Sequence, residues 1–470
     1  MKPVKAVDAA FLQLETAATP MHVGAVFVLD PPSRQAGRTF FRRLKLLIAA
    51  RLDRSEVFTR HVAALPFNAA NPIWLAGRAD LDYHVRRTVL PAPGSQHQLE
   101  ECVADLHTPL MDRERPLWEL HVIEGLEGGR LALYVKTHHA GLDGASAQLF
   151  LRSFVDTAAR PARRSTRPPR LPQVEHVTTT DLLLAGLRHQ VAELGRLPRL
   201  IGGLAGQLPD TFRGARDALL TRAPGGPSSA PRTPLNVAIS GERSFASVEC
   251  DLAQVKSVAR IHSATVNDVI LAASAGALRR WLILHDKLPA TSLRTAVPFS
   301  TREPGNVDHS IQVSFMALDL HTGIDAPQAR LRAIHASSLE AKAAAERARA
   351  LMPGDLPSIG LPWLLGSLAR VLGNDAVLSR LPLPFNLIIS NVAGPPTPLY
   401  VAGARALSYA PVSIPYHGCE LNITVYSYDC KLFFGLKGAR SAVPDLRDVA
   451  EGVKLEIDLL TRRRRTARAR

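Results

Sequence analysis

The segment His138-His139-Ala140-Gly141-Leu142-Asp143-Gly144 limits the fold most, because a β-prone run enters it and a helix-prone run leaves it. Leu131 to Thr137 favours a strand, and Ala145 to Thr157 favours a helix with apolar Leu149, Phe150, Leu151 and Phe154. Two histidines therefore stand at a strand end, where a stiff support can present an imidazole. Its unperturbed pKa of about 6.5 suits proton transfer near neutrality. Adjacent strand residues point to opposite faces, so only one of His138 and His139 can meet a given substrate, and His138 reads as the structural one. Asp143 and Gly144 also have a plain reading, as the N-cap that accepts the Ser146 amide and as a helix-start residue.

A chain of 470 residues exceeds what one hydrophobic core usually serves, so two lobes are expected. With 46% hydrophobic residues it is globular rather than disordered. Cys102, Cys250, Cys419 and Cys430 show no metal-ligand spacing, which points to reduced thiols in a cytosolic protein and to no metal. The N-terminus leads into Asp8 and not into an apolar export run. Leu381 to Ala404 is uncharged, but Pro382, Pro384, Pro395, Pro396 and Pro398 rule out a spanning helix there. Leu356 to Ala369, around Trp363, is too short to span and reads as a buried or membrane-surface helix.

The net charge of +15 calls for a partner. Arg462 to Arg470 holds six arginines, which leaves nine charges elsewhere. Charge runs are usually solvated faces. Neither zinc spacing, nor an aromatic RNA-binding strand, nor heptads beside a basic region supports nucleic acid, so an anionic membrane is the better partner.

Along the chain a first lobe is expected over 1–180, a helical connector and linker over 181–234, a second lobe over 235–460 and a basic tail over 461–470. Arg160 to Pro172 and Ala223 to Pro234 read as linkers. Between them Leu183, Leu187, Val191 and Leu194 recur with helical spacing, as a face packed on the second lobe or, alternatively, turned to lipid. A strand is expected at Arg243 to Asp251, helices at Leu252 to His262 and Val269 to Trp281, and strands near Phe385 to Ile389 and Leu421 to Tyr428. Thr265-Val266-Asn267-Asp268 has the capping-box pattern, which gives Asp268 a structural role and leaves Asn267 freer. Trp118 reads as a core or tunnel-wall residue, since an indole brings mostly apolar surface and one donor. Neither Gly-x-Ser-x-Gly nor a cysteine beside a histidine is present, which argues against a covalent acyl-enzyme.

The His-His-x-x-x-Asp-Gly pattern resembles the active-site motif of chloramphenicol acetyltransferase-like acyltransferases. The blocks Asp8 to Leu12, Pro20 to Gly24, Asp80 to Arg86, Pro116 to Glu119, Thr265 to Asp268, Val297 to Arg302 and Ser390 to Pro395 look like the bacterial wax ester synthase/acyl-CoA:diacylglycerol acyltransferase family. The resemblance covers about nine tenths of the chain and implies an α+β fold. Two chloramphenicol acetyltransferase-like lobes would each hold a mixed sheet with flanking helices, and the active site would lie at their interface. It implies His139 as general base, His138 beside it, Asp143 anchored by an arginine such as Arg302, and Gly144 allowing close approach of substrate. Asn267, Asp268, Ser390, Asn391 and Trp118 become substrate-binding candidates, with Asn267 or Asn391 as oxyanion donor. Ala393 departs from an expected second proline. The implied substrates are long-chain acyl-CoA and a diacylglycerol or fatty alcohol, with no cofactor and peripheral association with membrane or lipid inclusions. Two readings stand beside it: a related acyl-CoA-dependent acyltransferase with another hydroxyl acceptor, and a non-catalytic protein of lipid-inclusion surfaces.

Overall fold

The structure is a computed structural model that describes residues 2–65, 71–142, 144–159, 177–186, 229–239, 241–300, 313–349, 366–367 and 371–462, together with 173, 188 and 191. Its strands are β1 (Lys2–Pro3), β2 (His22–Asp30), β3 (Arg60–Ala63), β4 (Ile73–Ala76), β5 (Val85–Val89), β6 (Trp118–Glu124), β7 (Leu131–His138), β8 (Val155–Asp156) and β9 (Arg243–Asp251). They continue as β10 (Arg294–Ser300), β11 (Val313–Asp319), β12 (Leu387–Val392), β13 (Tyr400–Val401), β14 (Ala404–Ala406), β15 (Ala410–Val412), β16 (Leu421–Tyr428) and β17 (Lys431–Ala439).

The first lobe is built on a sheet ordered β5-β6-β7-β2-β14-β13-β8, with β15 also paired to β2. β7 is buried along its whole length, which a strand covered on both faces requires. Alternation divides its side chains. Leu131, Leu133 and Val135 join a core with Phe40, Leu44 and Phe150, which belong to the helices Phe40–Ala49 and Gly144–Phe154. Ala132 and Tyr134 face the helix Gln96–His107, Val412 of β15 and, across the lobe boundary, Phe245 of β9. That helix starts at a capping box of Ser95 and Gln98.

The second lobe has the order β11-β10-β12-β16-β17-β9, with β12 parallel to both neighbours. The helices Leu252–Ile261, Val266–Leu284 and Leu446–Thr461 cover its outer face, with Val255, Val269, Leu278, Val449 and Val453 in the core. Glu100 ties the two lobes together. Its carboxylate accepts the Ser247 amide at 2.8 Å and pairs with Arg447.

The second lobe expected over 235–460 is interrupted by a crossover. Residues of β13, β14 and β15 leave it and complete the first sheet against β8 and β2. The crossing is close. A Cβ at Gly435 of β17 would lie 1.8 Å from the carbonyl oxygen of Pro411 in β15, so only glycine fits there.

A third, small sheet, ordered β1-β4-β3, backs the histidine motif. On one face Val62 and Trp74 pack with Leu12 of the helix Ala6–Leu14 and with Ala140. On the other, Ile73 and Leu75 meet Leu182 and Ala185 of helix 179–186. Among the described residues, helix 179–186 therefore packs on this small sheet of the first lobe, while Ala230 at the connector's end donates to the Leu383 carbonyl of the second. Of the expected inward residues, Leu183 is 41% exposed and Val191 67%, because the periodicity that marks an apolar stripe does not name its partner. No helix among the described residues is long and apolar enough to cross a membrane. The segment around Trp363, both proposed linkers in large part, and the tail after Arg462 lie outside the described residues.

Candidate active site

β7 ends at His138, and a single 3₁₀ turn, His139–Gly141, carries the chain toward the helix Gly144–Phe154. His138 is fully buried and lies opposite His22 of β2 in the ladder. Its Nδ1 accepts the Ala140 amide at 3.1 Å and so caps the turn. A neutral His138 must then carry its proton on Nε2, which lies 3.2 Å from the Glu15 carboxylate.

Glu15 collects several groups at the end of the helix Ala6–Leu14. Its side chain is 2% exposed. It accepts the Met21 amide at 3.0 Å and an Arg113 hydrogen bond at 2.8 Å, and His22 Nε2 is also 3.2 Å away. Burial alone would raise its pKa, but His138 and His22 hold the carboxyl well below the usual range. Met21 completes a link to the neighbouring histidine, since its carbonyl accepts the His139 amide at 2.8 Å. Glu15 thus fixes the turn by two routes, one through His138 and one through Met21.

His139 projects from this turn and is half-buried. Its ring stacks on Phe11 with centroids 4.0 Å apart and planes 15° from parallel. Nδ1 is buried without a hydrogen-bond partner among the described residues. Arg60 secures the far side of the turn by donating to the Gly141 carbonyl at 3.0 Å, while its guanidinium lies 4.4 Å over the Trp74 ring. Lys136, buried on the same strand, donates to the carbonyls of Leu106 and Pro109 at 3.1 and 2.6 Å and so caps the end of the helix Gln96–His107.

Burial, with His138 adding to it, pushes the His139 imidazole down to about 4. Burial likewise takes His22 to about 4 against the pull of Glu15. Both rings are therefore neutral at pH 7. Each favours the fold fully above its unfolded value of about 6.5, and that contribution is lost as pH falls from there toward about 4. An imidazole in this state keeps its lone pair well into mild acid. Any reaction that depends on the neutral His139 ring should keep its rate level as pH drops through about 6.5 and decline only nearer 4; an acid limb centred at about 6.5 would contradict the buried environment of His139.

The other residues singled out in the sequence have distinct placements. Gly144 begins the helix after the motif, and Asp143 and Arg302 lie outside the described residues. Trp118 has no exposed surface: its indole N–H is donated to Phe58 at 3.3 Å, and its ring stacks on His84 at 4.3 Å. Asp268 completes the capping box with Thr265 and also accepts from His335 Nδ1 at 2.8 Å, at 1% exposure. Burial would raise its carboxyl, but Thr265 and His335 hold it below the usual value. Asn267 is half-buried in the same first turn. Ser390 of β12 donates to Thr424 at 3.0 Å, and Asn391 is exposed. No hydrogen bond or ring contact among the described residues joins these second-lobe groups to His139. Beyond Ala393 the loop is fixed by Gly394, where a Cβ would stand 2.1 Å from both Ser427 and Tyr426.

Sequence reasoning missed Glu15, Arg60 and Arg113. The signal available was one of supply, since two buried histidines on paired strands need an acceptor for their ring protons, and Glu15 is the acid nearest His22 in the chain.

Comparison with known proteins agrees with this architecture. Residues 4–270 match the family described as wax ester synthase/diacylglycerol acyltransferase catalytic domain, and residues 311–461 match the WS/DGAT C-terminal domain. A Mycobacterium tuberculosis protein named as a probable diacylglycerol O-acyltransferase is 36% identical over 452 residues, covering 94% of each chain. Another from the same species, named for the same activity, is 36% identical over 460 residues, 97% of this chain and 98% of its own. The solved wax ester synthase/diacylglycerol acyltransferase of Marinobacter aquaeolei VT8 superposes with a TM-score of 0.69 at 29% identity, covering 98% of both chains. A condensation domain of the calcium-dependent antibiotic synthetase shares the fold at a TM-score of 0.52 and 17% identity. With both domains matched in order and relatives aligned over nearly its full length, the chain belongs to the wax ester synthase/diacylglycerol acyltransferase family of acyl-CoA-dependent O-acyltransferases.

Proposed function

We propose that this protein moves a long-chain acyl group from acyl-CoA to the hydroxyl of a diacylglycerol or a fatty alcohol, with His139 as general base. The observation that carries the reading is a neutral imidazole at the tip of a rigid strand, stacked on Phe11 and carried by a turn that Met21 and Arg60 hold through its backbone. His139 takes the proton of the acceptor hydroxyl as its oxygen attacks the thioester carbonyl. The carbon–sulfur bond then breaks, and the proton passes to the departing sulfur of coenzyme A. In this reading Asn267 or Asn391 donates to the oxyanion, a contribution typically worth about 3–4 kcal/mol. Asp143 is a structural anchor rather than a member of a charge relay, Gly144 admits the substrate close to the backbone, and Ser390 and Asp268 shape the second-lobe wall. Trp118 acts through packing. Both substrates are apolar, and a basic protein that works on them associates with an anionic membrane or a lipid-inclusion surface.

The test is thiol release from palmitoyl-CoA by the full-length protein, with the lipid products identified. Release that depends on added diacylglycerol or hexadecanol, with triacylglycerol or wax ester formed, is the expected result. Free fatty acid as sole product would overturn the transferase reading, and lipid-surface binding without thiol release would favour the non-catalytic alternative.

A further inference from the structure

We infer that the outward face of the connector helix is the surface by which this protein lies on an anionic lipid leaflet; the inference rests on the proposal that the acceptor is a lipid alcohol. The inward side of helix 179–186 is already used, since Leu182 and Ala185 pack on Ile73 and Leu75. Leu183, Leu184 and Val191 remain 41%, 47% and 67% exposed. Residues 188 and 191 are helical too, so Leu184, Arg188 and Val191 fall at i, i+4 and i+7 on one line, with Leu183 beside it. Exposed leucines on consecutive positions, with an exposed arginine on the same line, describe an interfacial helix rather than a solvated one.

Charge points to the same occupant. Residues 160–222 contain eleven arginines against five acidic residues, so together with the arginine tail this segment accounts for most of the net +15. The rest of the protein is nearly balanced. A stretch of sequence this rich in arginine, carrying the exposed Leu183, Leu184, Arg188 and Val191, complements a leaflet whose headgroups are anionic and whose interior is apolar.

Position gives the surface a purpose. The connector lies on one face of the small β1-β4-β3 sheet, and the other face carries Val62 and Trp74 against Ala140 of the motif turn. One thin sheet separates the proposed lipid contact from the turn that bears His139. An acceptor dissolved in the leaflet is thereby held at the site's side of the molecule.

The test uses full-length protein and vesicles of phosphatidylcholine with phosphatidylglycerol, sedimented at low salt. The Leu183→Glu/Leu184→Glu double variant should lose about tenfold or more of its vesicle affinity, whereas Leu184→Trp should bind as well as wild type or better. Thiol release with a short soluble alcohol should be equal in all three, which establishes that the variants are folded and active. Triacylglycerol formation from vesicle-borne diacylglycerol should fall with binding. Protein truncated after Leu460 should keep part of its binding, and the double substitution should remove that remainder. Wild-type sedimentation by the double-glutamate variant would overturn the inference, as would equal binding to vesicles of phosphatidylcholine alone. If wild type forms no ester from any acceptor, the acyl-transfer reading fails instead, and the vesicle result still judges the connector on its own.

Discussion

Replacing His139 with alanine is expected to lower acyl-transfer kcat by about 10²- to 10⁴-fold, the usual contribution of a positioned general base. The fold should barely respond, because the half-buried ring is held by one stacking contact with Phe11 and its backbone bond to Met21 survives the change. His138→Ala should behave the other way. Its ring caps the turn through Ala140 and faces Glu15, so its loss lowers the melting temperature and disturbs the position of His139 while leaving the base in place. Thiol-release kinetics and a thermal melt on the two variants separate these roles. Near wild-type turnover by folded His139→Ala would remove the proposed base.

Glu15→Ala should cost several kcal/mol of stability, since each buried donor left without its acceptor costs about 1–3 kcal/mol. Arg113, the Met21 amide, His22 and His138 would all lose the acceptor they share. The pH dependence has a definite sign. The folded-state pKa of Glu15 lies below its unfolded value, so its contribution is complete above the ordinary carboxylate range and is lost as pH falls through and below it. The milder Glu15→Gln keeps an acceptor for Met21 and should fold. It should reduce kcat more than it alters KM, because Glu15 positions His139 without touching substrate. A Glu15→Ala variant with wild-type melting temperature and turnover would show that the turn is held by other means.

Different parts of the molecule were legible from the sequence to different degrees, for physical reasons. The strand Arg243–Asp251, the helix Leu252–Ile261 and the strand Leu421–Tyr428 show their patterns within a short window, and the structure places them there. The histidine junction was equally plain, since a strand signal stops and a helix signal begins around it. β13, β14 and β15 span two or three residues each, too short to show any period, and the pairing of β14 and β15 with β2 depends on contacts nearly 400 positions away. The connector's apolar residues were visible, but their direction was decided by Leu65, Ile73 and Leu75, which the pattern does not name. Glu15 escaped for a related reason. A carboxylate looks alike in sequence whether it faces water or two buried imidazoles.

The borrowed strands also bear on how the protein is made. β2 is complete once residue 30 has been synthesised, yet among the described residues its outer edge, Gly24 to Asp30, is covered only by residues 404–412. At roughly 5–20 residues per second that edge waits roughly 20–75 s for its partner. During this interval it offers unpaired backbone N–H and C=O groups to any other nascent chain. The half of the sequence that carries His139 is therefore not a self-sufficient module, and expression yield should depend on protecting the first half on the ribosome until the crossover arrives.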